Sequence, residues 1–463
     1  MVARVAEDVL VVSNRGPLSF AYDGNGELVA HRGAGGVVSS LAPLVRDTGA
    51  SWMAAAISDA DRAAAAAGKV DADGFRFRSL AVDADAYRMA YDVVSNGTLW
   101  FLHHGLWDLA RRPRFDRRWR EAWDAYRAVN HTFARAIIDE AAPDTVVLVQ
   151  DYHFDLVGTW LAQERPDLRA VHFTHIPFCD PGAIRILPDD VAGELLAGMA
   201  SHASCGFHAR RWAQNFEASC RELWGWNPST FVSSLAPDHD DIASVAESTE
   251  SIAEGAALEE AIGGRHLILR VDRIELSKNL LRGFLAYEEL LRTRPEWRGR
   301  VVFVALVYPS REGLPEYLAY RQEVETLGAR INAQWGVPGW TPILLDTSDN
   351  FPRSVAALRR YDVLLVNPVR DGLNLVAKEG PLLNERHGVL ALSREAGVWE
   401  ELAGVALEVN PFDVAGTAEV LAAGLAMDQA DRVAHAAALR KLAASHTPRD
   451  WFDDQLTAAR SAR

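Results

Sequence analysis

Residues 366–380 read VNPVRDGLNLVAKEG, an apolar run that breaks at Pro368 and sets Arg370, Asp371 and Asn374 beside Gly372. A cation, a carboxylate and an amide gathered where a strand ends can orient a polar ligand. Free backbone amides at 372–376, where the chain turns into a helix, can bind a phosphate. Glu379, about two turns into that helix, can accept hydrogen bonds from ribose hydroxyls. RVDRIELSKN supplies Arg273 and Lys278 after another apolar run: a fork-shaped donor and a point charge able to clamp a diphosphate and stabilise it as its charge grows. VYPSREG repeats the arrangement with Arg311, and SNRGP places Arg15 after the first run. VQDYHFD and HFTHIPF set Asp151, His153 and His175 at neighbouring strand ends, where a carboxylate and imidazoles can bind sugar hydroxyls or move protons. HRGAGGVVSSLAPL (31–44) holds Gly33, Gly35 and Gly36 before a helical pattern; the amides of such a loop can approach phosphate or sugar oxygens, although the spacing is not GxGxxG.

Taken singly, each feature has an ordinary structural explanation. The glycines suit a tight packing turn, Asp151 and Asp371 suit helix caps, His175 suits a satisfied core position, and Arg273, Lys278 and Glu379 suit solvated helix starts. Joint placement argues further. Arg15, Arg273, Lys278 and Arg311 all fall just beyond strand ends in an acidic protein.

The elements that must position these residues are short β-branched runs at 8–14, 145–151, 170–177, 266–272, 300–307, 362–368 and 388–393. Continuous apolar strands of this kind are buried on both faces, as in parallel sheets. Segments with helical spacing, such as 119–142 and 279–295, lie between them and supply the crossovers. The polar stretch 238–264 holds no strand pattern and separates two strand–helix series, so a boundary is expected near 236. The expected fold class is α/β, with two doubly wound, Rossmann-like domains facing each other across a cleft and the ligand outside the carboxyl ends of the strands. The Ala run 63–67 reads as helix, and no solenoid repeat is present.

Composition excludes other classes. The chain has 463 residues and 49% hydrophobic content, enough for sizeable cores in two or three domains. Its 48 Lys and Arg against 63 Asp and Glu give a formal net charge of -15, which argues against nucleic acid or an anionic membrane as partner. Any anionic ligand therefore needs a local cationic cluster. Cys179, Cys205 and Cys220 are too widely spaced for a metal knuckle or a disulfide framework, which favours a reducing compartment. No apolar stretch approaches the ~18 residues of a membrane span, and the start has no signal-peptide shape, so a cytoplasmic location is expected.

The motifs SNRGP, GAGG, LWFLHH, QDYHFDLV, HFTHIPF, RVDRIELSKNLLRGFLAYE, PSREG, ARINAQWGVPGWTP, RDGLNLVAKE and VNPFD run in order from about residue 8 to about residue 413. In that order they resemble the trehalose-6-phosphate synthase family, glycosyltransferase family 20, whose members are retaining transferases of the GT-B fold with the active site in the cleft between two Rossmann-like domains. The resemblance implies an acceptor domain at 1–236, a nucleotide-sugar domain at 237–446 and a C-terminal helix at 447–463 returning to the first domain. It implies that Arg273 and Lys278 hold the donor diphosphate with Gly36 and the amides of Leu375 and Val376, that Glu379 holds the ribose, and that Phe351 lies beside the nucleobase. His175 and Asp371, with the backbone of Gly372, Leu373 and Asn374, would hold the donor glucose. Arg15, Tyr91 and Arg311 would bind the phosphate of glucose 6-phosphate, with Trp100 and Asp151 by its sugar ring. Asp151, His175, Arg273, Lys278 and Asp371 would form the catalytic set.

The implied reaction moves glucose from a nucleotide-glucose to glucose 6-phosphate, giving α,α-trehalose 6-phosphate, without a metal or other cofactor. The sequence does not name the base, so UDP-, GDP- and ADP-glucose stay open, as does self-association. Two departures stand out. The chain reads WMAAA from Trp52, with alanines where well-known bacterial members carry a second tryptophan, and Asn279 follows Lys278 where they have glycine. The alternatives are a related transferase using glycerol 3-phosphate, a relative joining validamine 7-phosphate to a nucleotide-activated cyclitol, and a sugar-phosphate sensor without turnover.

Overall fold

The computed structural model describes residues 8–32, 41–42, 44–45, 48–68, 70–72 and 74–461. Residues 1–235 together with 448–463 form one compact unit, and 236–447 form the other.

The first unit is built on an eight-stranded sheet in the order β10-β9-β8-β7-β1-β4-β6-β5. Its strands are β1 (Val9–Ser13), β4 (Ser51–Ala55), β5 (Val70–Ala72), β6 (Phe75–Leu80), β7 (Val146–Gln150), β8 (Arg169–Thr174), β9 (Ser204–Phe207) and β10 (Thr230–Val232). Neighbours run parallel except β5 against β6. The two central strands, VLVVS and VVLVQ, are buried at every residue, as strands covered by helices on both faces must be. An antiparallel hairpin of β2 (Leu18–Tyr22) and β3 (Leu28–Arg32) follows β1.

A π-helix, Met89–Leu99, leads into a helix Trp100–His104. Side chains support its wide turns: Asn96 Nδ2 donates to the Tyr91 carbonyl at 3.0 Å and Thr98 Oγ1 to the Val93 carbonyl at 2.8 Å, each five residues back. Such segments cluster at functional positions. The helix Pro448–Ser461 packs on β8, burying Trp451 against Phe173 with ring centroids 5.1 Å apart.

The second unit holds a six-stranded, all-parallel sheet in the order β13-β12-β11-β14-β15-β16. Its strands are β11 (His266–Ile274), β12 (Val301–Pro309), β13 (Ile343–Asp346), β14 (Val363–Val366), β15 (Val389–Ser393) and β16 (Leu407–Val409). The polar stretch after 236 forms two helices, His239–Ala246 and Thr249–Ile262. Both units are α/β, as the apolar runs predict.

One residue of the second core is a cation. Arg270, on β11, is fully buried; its guanidinium pairs with Asp272 at 3.1 Å, donates to Asn367 Oδ1 at 2.5 Å and reaches the Lys278 carbonyl. Gly283 on the overlying helix Leu280–Thr293 makes the room, since a Cβ there would stand 2.6 Å from Arg270 Nη1.

Candidate active site

In the second unit the exits of three adjacent strands converge on charged residues. Arg311 follows β12, Arg273 and Lys278 follow β11, and Asp371 follows β14; Phe351 follows the neighbouring β13. Lys278 Nζ pairs with Asp371 Oδ2 at 2.5 Å and lies 4.0 Å from Asp272 Oδ1. Burial by itself would lower the Lys278 pKa, but Asp371, Asp272 and Glu275 together raise it above the ordinary lysine value. The half-exposed Arg273 lies 3.1 Å from Glu275 Oε1, and that carboxylate holds the guanidinium above its usual range. Burial opposes ionisation of Glu275, yet Arg273, Arg311 and Lys278 overcome it and bring its pKa down to about 2. The result is a site with fixed charges of alternating sign.

Arg311 belongs to this cluster. Its Nη1 lies 3.4 Å from Glu275 Oε1 and donates to the Tyr317 hydroxyl at 2.6 Å, and its backbone is left-handed with φ 48°. The sequence reading set Arg311 apart from the diphosphate clamp; within its own unit it shares Glu275 with Arg273.

The stretch 366–380 forms a loop and then a helix that begins at Val376. Glu379 therefore lies in the first turn, not two turns in, and loss of surrounding water raises its carboxyl pKa to about 7. Gly372, Leu373, Asn374 and Leu375 precede the helix, and among the described residues no acceptor takes the amides of Leu375 and Val376. These are the orphan donors of a helix start, open to an anion. Asn374 adopts φ 89° and donates to Asp371 Oδ2 at 3.1 Å. Gly397 closes the loop from behind: its amide donates to the Asp371 carbonyl at 3.0 Å, and a Cβ there would stand 1.9 Å from the Gly372 carbonyl oxygen.

Asn279 now has an account. It takes the left-handed conformation at φ 61°, which glycine adopts freely and asparagine tolerates. Its Nδ2 donates to the carbonyls of Asn367 at 3.0 Å and Pro411 at 2.7 Å, so it fastens the turn bearing Lys278 to two other strand exits. Phe351 opens the helix Phe351–Arg360 with 46% of its surface exposed, a ring free to stack on a base.

In the first unit Arg15, Asp151 and His175 follow the adjacent strands β1, β7 and β8. Arg15 is exposed. Asp151 is left-handed at φ 74°; burial raises its pKa to about 6, against hydrogen bonds from the His175 and Tyr152 amides. The His175 amide donates to Asp151 Oδ1 at 3.1 Å. Tyr91 stacks between Tyr87 at 5.7 Å and His153 at 5.6 Å, and the Tyr87 hydroxyl donates to Asn14 Oδ1 at 2.8 Å beside Arg15. These contacts bring Arg15, Tyr91 and Asp151 into one neighbourhood. Trp100 is only 2% exposed and stacks on His104 with ring centroids 4.2 Å apart. The Ala-rich stretch after Trp52 is β4, whose Ala55 amide donates to the Asn14 carbonyl at 3.3 Å. Gly36, with Gly33 and Gly35, lies outside the described residues.

The sequence reading missed Asp272 and Glu275, the anions that hold the clamp in place, and Gly397, which shapes its loop. The alternation of acid and base in RVDRIELSK was the available signal for the first two.

Two α/β units, each with polar residues at strand exits and one with a pair of cations among carboxylates beside orphan amides, define a class of chain whose site suits an anionic, hydroxyl-rich ligand. Comparison places it further: residues 7–461 match the profile described as Glycosyltransferase family 20, and the chain belongs to that family. It is 31% identical to the trehalose-6-phosphate synthase of a Mycobacterium species (strain JLS), over 98% of this chain and 97% of the relative. It spans 52% and 61% of two longer curated relatives. Among solved structures, it is similar to the E. coli protein bound with UDP-2-fluoro glucose, with a TM-score of 0.85, 26% identity and coverage of 98% of this chain and 99% of that one. It is also similar to the Burkholderia xenovorans alpha,alpha-trehalose-phosphate synthase (UDP-forming) in complex with glucose-6-phosphate, with a TM-score of 0.84, 27% identity and coverage of 98% and 100%.

Proposed function

We propose that this chain transfers glucose from a nucleotide-glucose to glucose 6-phosphate with retention, giving α,α-trehalose 6-phosphate. The observation that carries the reading is the clamp: Arg273 and Lys278, held in place by Glu275, Asp272 and Asp371, beside the orphan amides of Leu375 and Val376. Family membership and the ligands of similar solved structures support the substrate classes.

As the bond from the sugar's anomeric carbon to the diphosphate oxygen breaks, the ring becomes cationic and the diphosphate gains negative charge. Fixed cations and amide dipoles aimed at that charge lower the barrier without reorganising. The anomeric hydroxyl of glucose 6-phosphate enters on the face the diphosphate leaves, and its proton passes to the departing phosphate oxygen. No protein nucleophile is used. Asp371 and the loop at Gly372–Asn374 hold the donor glucose, Glu379 the ribose and Phe351 the base, while Arg15, Tyr91 and Arg311 take the acceptor phosphate. We propose further that the clamp supplies the electrostatic stabilisation without a metal ion.

A panel of UDP-, GDP- and ADP-glucose crossed with glucose 6-phosphate, glycerol 3-phosphate and validamine 7-phosphate tests this. The expected result is α,α-trehalose 6-phosphate from at least one donor. Turnover with another acceptor alone, or with none, overturns it.

A further inference from the structure

The polar side chains around His175 form one continuous row. Gln150, the last residue of β7, directs Oε1 to His175 Nε2 at 2.9 Å and donates from Nε2 to Gln455 Oε1 at 2.9 Å. On its other side, His175 Nδ1 faces His208 Nε2 at 3.1 Å. His208 Nδ1 in turn faces the Leu235 amide at 3.4 Å and the Ser233 carbonyl at 3.3 Å, and Ser233 Oγ donates to Asp454 Oδ2 at 2.7 Å. The row thus starts at Gln455 and ends at Asp454, consecutive residues of the C-terminal helix.

Each contact in the row passes one hydrogen, so the direction set at Gln455 runs along it. With Gln150 Nε2 given to Gln455, Gln150 Oε1 accepts from His175 Nε2–H, and His208 Nε2–H supplies the contact to His175 Nδ1. With both amides turned the order reverses, and His208 Nδ1–H meets the Ser233 carbonyl. Gln455 is fully buried on a helix face otherwise lined by Trp451, Phe452, Leu456 and Ala459, and its Nε2 finds no partner among the described residues. Gln150 is 1% exposed.

We propose that Gln455 and Gln150 are positioning residues for the transfer: from the C-terminal helix they fix the tautomer and orientation of His175, and through the His175 amide the place of the Asp151 carboxylate. This rests on the functional reading above. A ring held from both nitrogens keeps one orientation and acts as a brace. The charged and titratable groups facing it are His208 beyond β9, Asp151 beyond β7, His172 on β8 with Asp155 3.2 Å from that ring, and Asp454 behind Ser233. Burial, with His208 and His172, holds the His175 pKa well below the usual histidine value, which agrees with a neutral brace.

The test uses the full chain labelled with 15N-histidine, reading the tautomer of each ring by NMR alongside steady-state kinetics. In the wild type, His175 is expected as a single tautomer, constant from about pH 5 to 8. Gln455→Met frees Gln150 to turn its amide, so His175 should populate both tautomers and kcat should fall roughly three- to tenfold, the scale of one neutral hydrogen bond. In Gln150→Glu the acceptor is kept and the Gln455 amide can rotate to donate. That variant should restore the single tautomer, and its new carboxylate should raise His175 into the titrating range and add an acid limb to the kcat profile. An unchanged tautomer in Gln455→Met, with any loss of activity matched by a lower Tm, overturns the proposal, as does a mixed tautomer with unchanged kcat. Absence of turnover by the wild type on every donor and acceptor overturns the functional reading itself, whatever the tautomer.

Discussion

Lys278 is kept charged by the carboxylates around it and Arg273 is charged in any surroundings, so removing either cation strips stabilisation from the leaving diphosphate. Lys278→Ala and Arg273→Ala are each expected to lower kcat by at least ~100-fold, the scale of deleting one preorganised donor, in steady-state assays. Near-normal turnover would exclude the clamp. Arg311→Ala is expected to raise the KM for glucose 6-phosphate by roughly tenfold or more, the scale of a charged hydrogen bond, with little change in nucleotide affinity by calorimetry; the reverse pattern would put Arg311 with the donor. Glu379 supplies a pH signature. Its pKa is about 7 in the fold against an ordinary 4.5, so between those values the native state holds a proton the unfolded chain has lost, and the contribution to stability falls as pH rises. Ribose hydroxyls need the ionised carboxylate, so affinity for a nucleotide-glucose, whose diphosphate does not titrate there, should rise through about pH 7 and be flat in Glu379→Gln. The cations were legible in the sequence because each follows an apolar run. Their anionic partners were not: Asp272 lies within a strand and Glu275 just beyond its end, and neither spacing reveals which cations the carboxylate meets.

At the level of the elements, the loop at 371–375 depends on the close approach of Gly397. Gly397→Ala drives a methyl into the Gly372 carbonyl, so it should cost about 1–3 kcal/mol in urea unfolding and weaken nucleotide binding together. All seven apolar runs of the sequence are strands, because burial on both faces leaves an unbroken β-branched signal. The missed strands lack it. SWMAA (β4) holds one strong strand former, Trp52, and no β-branched residue, FRFRSL (β6) interleaves arginines, and β9, β10, β13 and β16 are three or four residues long. The π-helix was illegible for another reason: its extra residue per turn rests on side-chain bonds from Asn96 and Thr98 that composition does not announce.

For the molecule as a whole, a net charge of -15 means that the proposed anionic substrates would be drawn by local cations against a repelling surface. If those cations suffice for the chemistry, exhaustive chelation should leave turnover unchanged; activity lost to a chelator and restored by a divalent ion would contradict it. The helix Pro448–Ser461 belongs to the first unit although it follows the second in sequence. Trp451→Ala should therefore cost about 3–5 kcal/mol and loosen amide-exchange protection in β7, β8 and β9, while β11–β15 keep theirs. That same order has a consequence for synthesis. When β10 leaves the ribosome, the apolar ring of Phe173 and the side chains of Gln150 and Ser233 still lack the partners that the last helix will bring. About two hundred residues of the second unit must be made first, roughly 10–40 s at ordinary rates of translation. During that interval the nascent first unit presents an unfinished surface, and this is the stage of the protein's life at which a chaperone would find it.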